Sequence, residues 1–242
     1  LIPPGPDLVC TVYALWRIGA CAVVVDRGLG IRGMRRAIRG AAPQHVVGST
    51  EGLILAKTLQ IPGRRISTRS LGQLARNFSP AGVSARSSDE AVVVFTSGAT
   101  GPAKGVIYRH HQVQRTMTLL GDHYSLGAKD SLVAAFAPWA LLGPGLGITS
   151  VIPDMDVTRP GTLTATSLAD AITSAHGTVI WAAPAALRNV LATADTLSAA
   201  QKAGMSDIRL LLSAGAPVPL SLLEQAAVLF PGASIRTPYG MT

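Results

Sequence analysis

Thr96-Ser97-Gly98-Ala99-Thr100-Gly101-Pro102-Ala103-Lys104-Gly105 follows the apolar run Ala91–Phe95 without a break. Val92, Val93 and Val94 are β-branched, so the run reads as a buried strand, and the segment after it reads as a loop. A loop that wraps a polyphosphate turns backbone N–H groups inward, which calls for glycines that tolerate unusual dihedrals and close approach. The hydroxyls of Thr96, Ser97 and Thr100 add donors, and Lys104 adds positive charge. The pattern is not a Walker A loop, which puts Lys directly after Gly and Ser or Thr directly after Lys; here Lys104 follows Ala103 and precedes Gly105. Taken alone, these residues also fit an ordinary Gly/Ser/Thr surface loop.

The rest of the chain alternates apolar runs with amphipathic segments, the pattern of an α/β protein with largely parallel strands. Asp7 caps a helix through Ile18, which Gly19 can end, and Ala22–Val25 follows as a strand. A helix over Ile31–Ala41 turns Ile31, Met34 and Ile38 inward and Arg32, Arg35, Arg36 and Arg39 outward, before a strand at His45–Val47. Residues 62–89 read as surface connection with one short helix near Leu71–Asn77. A helix over His110–Leu120 follows the glycine-rich loop. Further strands fit Ser131–Phe136, Thr178–Ala182, Ile208–Leu212 and Ser234–Arg236, with helices near Leu168–Ala175, Pro184–Ala194 and Pro219–Phe230. Small and polar residues at Gly121–Asp130 separate two alternating series, which sets expected lobes of 1–125 and 126–242.

The formal charge of +8 favours phosphates, nucleic acid, anionic membrane surfaces or an acidic partner. The arginines of 32–39 lie opposite an apolar stripe, so a solvated helix face is the expectation. With 5% aromatic residues and no recognised binding motif, a nucleic-acid partner is not expected. Cys10 and Cys21 sit in apolar stretches without zinc-ligand spacing, which suits buried free thiols and a cytoplasmic location. Residues 131–153 carry no charge over a length that could span a bilayer. Pro138, Gly143, Pro144, Gly145 and Gly147 would break such a helix, so a buried strand-loop-helix segment is expected. The opening Leu1–Pro6 reads as a cut or processed end.

The glycine-rich loop resembles the phosphate loop of the adenylate-forming superfamily, which includes acyl-CoA synthetases, luciferases and peptide-synthetase adenylation domains. It departs from the usual pattern at Ala99 and at Pro102-Ala103. Ser213-Ala214-Gly215-Ala216-Pro217 looks like the family turn that lines the adenine pocket. Tyr239-Gly240-Met241-Thr242 is similar to the family's Y-G-x-T-E, in which Tyr stacks on adenine, Thr contacts phosphate and Glu helps hold Mg²⁺. The resemblance therefore implies ATP and Mg²⁺ as cofactors, with CoA as an optional second substrate. It assigns the triphosphate to Thr96, Ser97, Gly98, Ala99, Thr100, Gly101 and the catalytic Lys104. Adenine and the α-phosphate fall to Gly215, Ala216, Pro217, Tyr239, Gly240, Met241 and Thr242. No metal ligand is assigned, because no Glu follows Thr242.

The implied fold is part of the superfamily's large N-terminal domain: two stacked α/β lobes, largely parallel sheets and flanking helices, without the mobile C-terminal lobe. A stretch of this kind is expected to be catalytically silent alone. His110, although similar to a histidine common after this loop, is given no chemistry. Pro138-Trp139-Ala140-Leu141-Leu142 and the run to Asp156 look similar to the olefin β-lactone synthetase branch, beside fatty acyl-CoA ligases. That implies an apolar acid substrate, with Trp139 and Leu141 as candidate channel residues, and partner enzymes of a lipid pathway. A buried Trp in an apolar run also fits plain core. Asp154 and Asp156 read as loop or cap residues.

Overall fold

The computed structural model describes residues 1–25, 27–76, 85–95 and 104–240. These form two units, the first running to Arg115 and the second from Thr116, each an α/β layering of sheets and helices. The dividing point lies inside a helix, upstream of Gly121–Asp130.

The first unit opens with α1 (Pro6–Arg17), whose proline at the helix start suits the fixed φ of that ring. Its end is set by Gly19 at φ 71°: the N–H of Gly19 donates to Trp16 O and that of Ala20 to Leu15 O, the paired bonds of a Schellman turn. β1 (Ala22–Val24) follows, then α2 (Gly30–Gly40), which buries Met34, Ala37 and Ile38. Ile31, expected inward, is 64% exposed, because it sits in the first turn beyond the reach of the core. Arg35, exposed as expected, also donates to Leu59 O and Gln60 Oε1.

β2 (His45–Gly48), α3 (Thr50–Thr58) and β3 (Arg64–Ser67) make a parallel two-stranded unit over Ile38, Val46, Ala56, Leu59 and Ile61. Ser49 caps α3 by accepting from Gly52 N. β3 corrects the reading of residues 62–89 as connection. Its arginines made it look polar, and it survives as a strand because main-chain pairing with β2 carries it. α4 (Thr68–Arg76) follows directly.

β4 (Glu90–Phe95) pairs parallel with β1 and antiparallel with β5 (Gly105–Arg109). Trp16 Nε1 donates to Ala91 O at 2.8 Å and ties α1 to this sheet. α5 (His110–His123) crosses from the first unit to the second.

The second unit holds a parallel sheet, in the order β10-β9-β8-β6-β7 among the described residues. β6 (Ser131–Ala134), α6 (Ala137–Ala140), α7 (Leu142–Leu146) and β7 (Thr149–Val151) replace any bilayer span in the uncharged stretch. No helix among the described residues is long and apolar enough to cross a membrane. α8 (Ala165–Ala175) starts where Thr164 accepts from Ser167 N. β8 (Val179–Ala182), α9 (Pro184–Ala192) and α10 (Ala199–Gly204) follow, the last held by a reciprocal Ser198–Gln201 capping box. β9 (Leu210–Ser213), α11 (Leu220–Leu229) and β10 (Ser234–Arg236) complete the unit.

Alternate strand residues feed two cores. Val133, Ile180, Ala182 and Leu211 pack against α8, α9, α11 and Phe230 on one face. Leu132, Ala134, Val179, Trp181, Leu210 and Leu212 pack against Trp139, Ala140, Leu146 and Ile148 on the other. Strands buried on both faces are what an all-parallel sheet demands, and they explain why these runs read as continuously apolar.

Candidate active site

The phosphate-loop residues Thr96, Ser97, Gly98, Ala99, Thr100 and Gly101, with Pro102 and Ala103, lie outside the described residues, as do Met241 and Thr242. The frame that holds the loop is described. Phe95 and Gly105 are register partners, as are Val94 and Val106, so the loop joins the two strands of an antiparallel hairpin. The sequence analysis has no element at Val106–Arg109, which forms β5. Its signal was the short β-favouring run Val106-Ile107-Tyr108. Gly105 sits in a tight place, since a Cβ there would meet Val93 Cγ1 at 3.1 Å and the Phe95 ring at 3.2 Å. An aromatic ring laid over a cross-strand glycine is a known way of fixing hairpin register. Lys104, exposed, is the residue just before β5.

At the other end of the hairpin, His110 N donates to Asp89 O, and His111 Nδ1 lies 2.8 Å from Ser87 O. Arg109 N donates to Gln112 Oε1 at the start of α5. His110 Nε2 is buried with no hydrogen-bond partner among the described residues. It opens α5, directly after β5.

In the second unit, the expected residues gather at the carboxyl edge of the sheet. Gly215, Ala216 and Pro217 form the exposed turn after β9, with Gly215 at φ 94°, a conformation that side chains resist. Tyr239 and Gly240 follow β10 and are exposed. β9 and β10 pair in parallel with Leu212 opposite Arg236, so Gly215 and Tyr239 leave adjacent strands at equal distance from the last paired residues. Ser213 Oγ, at the end of β9, is buried without a partner among the described residues.

Trp139 and Leu141 leave the carboxyl end of β6 through α6. Trp139 stacks on Trp181 with ring centroids 3.6 Å apart and planes 14° from parallel. The sequence reading placed Trp181 in a strand and gave it no role. A bulky aromatic at the end of Val-Ile-Trp-Ala was the available signal. The stack lies where the strand order reverses: β6 leads to β7 on one side, while β8, β9 and β10 continue on the other. In open parallel sheets, crevices for ligands form at the carboxyl edge of that switch point.

Asp156 is a loop residue that closes a turn, in keeping with its reading as loop or cap. It accepts from Thr158 N, Thr158 Oγ1 and Arg159 Nε. The Thr158 hydroxyl, then Arg159, hold its pKa down to about 2. Among the described residues, no three His, Cys, Asp or Glu side chains are placed to share a metal. Cys10, expected buried, is exposed, whereas burial first and then the charge of Glu90 push the half-buried Cys21 thiol up.

The family model described as AMP-binding enzyme matches residues 1–242. An olefin beta-lactone synthetase of Xanthomonas campestris pv. campestris is 32% identical over 257 residues, an alignment that takes in all of this chain and 45% of that protein. An olefin beta-lactone synthetase of Stenotrophomonas maltophilia matches with the same identity and coverage. The chain thus spans about 45% of the length of these relatives. Among solved structures, a long-chain-fatty-acid-CoA ligase from Archaeoglobus fulgidus superposes with a TM-score of 0.83 at 21% identity, covering 99% of this chain and 51% of that one. The N-terminal domain of FACL13 from Mycobacterium tuberculosis superposes at 0.80 and 20% identity, over 100% of this chain and 61% of that one. At such identities these two carry the fold alone.

Proposed function

We propose that this chain, which belongs to the AMP-binding enzyme family, serves the ATP-dependent activation of an apolar 3-hydroxy carboxylic acid, whose acyl-adenylate closes to a β-lactone. In the first step a carboxylate oxygen attacks the α-phosphorus of ATP, and pyrophosphate leaves. In the second the substrate's own 3-hydroxyl attacks the activated carbonyl, AMP departs with the C–O bond electrons, and the hydroxyl proton is released. No protein nucleophile is required, so the protein contributes by alignment and by stabilising charge.

The observation that carries this reading is the 32% identity, over the whole chain, to two olefin beta-lactone synthetases. In this reading, Lys104 and the loop from Thr96 to Gly101 take the triphosphate, with Mg²⁺ screening its charge. The turn Gly215–Pro217 and the ring of Tyr239 take adenine, and Thr242 takes the α-phosphate. An exposed tyrosine at the carboxyl edge of a parallel sheet, beside a turn whose glycine holds a positive φ, offers a flat ring and open backbone to a base. Trp139 and Leu141 belong to the acid's side of the site. Partner enzymes that supply the 3-hydroxy acid and consume the lactone complete the proposal.

The test gives the full-length protein a long-chain 3-hydroxy acid, ATP and Mg²⁺, with and without CoA, and identifies products by mass spectrometry. Lactone formed without CoA supports the proposal. Thioester that appears only with CoA present moves the assignment to a fatty acyl-CoA ligase. No pyrophosphate release with any acid removes it.

A further inference from the structure

The positive charge of the chain is confined to one stretch. From Arg27 to Arg76 ten Lys and Arg residues stand against Glu51 alone, and the rest of the chain carries eleven against twelve. Topology narrows this further. In the parallel β2–α3–β3 unit, the C-terminal end of α3 lies with the amino ends of the strands, because the chain must turn back there to begin β3. Arg35 fixes α2 to the same end through Leu59 O at 3.1 Å and Gln60 Oε1 at 3.0 Å. Arg64 N donates to Gln44 O there as well.

Arg36, Arg39, Lys57, Arg64 and Arg65 are all exposed around this edge, and among the described residues no carboxylate pairs with them. Glu51 sits in the first turn of α3, at the opposite end, with Arg69 as its charged neighbour. Cations complement the last turns of helices, which accounts for Arg39 and Lys57. It does not account for Arg36, one turn earlier, or for Arg64 and Arg65 on a strand. Two large exposed aliphatic side chains lie on the same two helices as these cations. Ile31, 64% exposed, is one turn before Arg35, and Ile54, 62% exposed, is one turn before Lys57.

We propose that this edge of the first unit docks on an anionic phospholipid surface, with the arginines at the headgroup phosphates and Ile31 and Ile54 entering the acyl boundary. Clustered basic residues with aliphatic tips are the composition of interfacial attachment. A single-stranded nucleic acid would call for aromatic platforms, and none of these residues is aromatic. None of these residues is among those assigned to ATP, so the inference stands or falls independently of the proposed reaction.

The experiment co-sediments the 242-residue chain with phosphatidylcholine vesicles and with vesicles in which a third of the lipid is phosphatidylglycerol. Retention on the anionic vesicles alone, lost as salt is raised, is expected. Arg36→Gln, Arg39→Gln, Arg64→Gln and Arg65→Gln combined should lower the partition coefficient by more than 100-fold, at about fivefold for each cation near the surface. Ile31→Ser with Ile54→Ser should weaken binding while its salt dependence persists. Circular dichroism melts confirm that both variants fold. Equal retention on neutral and anionic vesicles, or an unchanged coefficient in the folded four-residue variant, overturns the proposal. So does stronger retention on duplex DNA than on vesicles. Retention on poly-glutamate beads that matches the vesicles and ignores the isoleucine changes would instead mark an acidic protein as the partner.

Discussion

Arg209 meets Asp130 side-on, with Nε 2.7 Å from one carboxylate oxygen and Nη2 2.6 Å from the other. The same carboxylate accepts from Gly127 N and Thr178 Oγ1, while Nη2 also donates to Ser125 O. One ion pair thus fastens the turn before β6 to the amino ends of β8 and β9. Arg209's hydrogen bonds, helped by those of Gly127 and Thr178, outweigh burial and hold Asp130 below the ordinary carboxylate value. A depressed folded pKa gives stability that is present above the unfolded value of about 3.9 and is lost as pH falls through the lower folded one. Arg209→Ala should cost roughly 2 kcal/mol at pH 7, the scale of hydrogen bonds to a charged group, discounted because Arg209 is partly exposed. Denaturant melts of both proteins down to pH 2.5 check this. A gap that stays constant through the acid range would mean Asp130 is not what Arg209 stabilises.

Some local chemistry was legible in the sequence, although Gly5 stands at the N-cap of α1 and Asp7, expected there, lies in its first turn; distant pairing was not legible. Gly19 ended α1 as expected because a Schellman turn needs only the residues beside it. The strands of the second unit stood out because burial on both faces makes them uniformly apolar. β3 and β5 were missed for the opposite reason: Arg64 and Arg65 hide a strand whose partner lies across α3, and Val106–Arg109 is a short run next to a stronger loop signal. In the site, Trp139 was named from its neighbourhood, but nothing near it in sequence points to Trp181.

Trp139→Ala should remove one partner of the Trp139–Trp181 stack, which the proposed reading puts on the acid's side of the site. In the full-length enzyme the expected outcome is a KM for the acid raised about tenfold or more, with the KM for ATP little changed, since an aromatic pair is worth about 0.5–1.5 kcal/mol beyond its buried area. Loss of stability should also appear, roughly 2 kcal/mol, below the full cost of a core Trp because Trp139 is only half-buried. Steady-state kinetics with each substrate varied separates the two effects. Equal changes in both KM values would make the stack purely structural.

Gly143, buried in α7, faces Ser150 so closely that an added Cβ would lie 1.9 Å from Ser150 Oγ and 2.9 Å from its Cβ. Gly143→Ala should therefore destabilise the second unit by about 1–3 kcal/mol, the usual cost of overpacking. Ser150→Gly should recover much of that loss in the double variant, because it removes both clashing atoms. Chemical denaturation of the four proteins forms a cycle, and a coupling energy near zero would show that the helix shifts freely away from β7.

Lys104 and its neighbour Gly105 should fail in different ways when changed. In the proposed chemistry Lys104 supplies charge against the polyphosphate, so Lys104→Ala should slow adenylation in the full-length enzyme by about 10²- to 10³-fold, a larger loss than any accompanying fall in melting temperature explains. Gly105 supplies space, since the Phe95 ring and Val93 Cγ1 lie 3.2 and 3.1 Å from where its Cβ would be. Gly105→Ala should push the Phe95 ring aside and alter the hairpin end from which the loop departs, so that activity and stability fall together. Phe95→Leu, which shortens the obstructing side chain, should restore part of both in the Gly105→Ala background. Pyrophosphate exchange and thermal melts on each variant give the two readouts. Full exchange in Lys104→Ala would remove that lysine from the chemistry, and a stable, active Gly105→Ala would show that the hairpin register does not govern the loop.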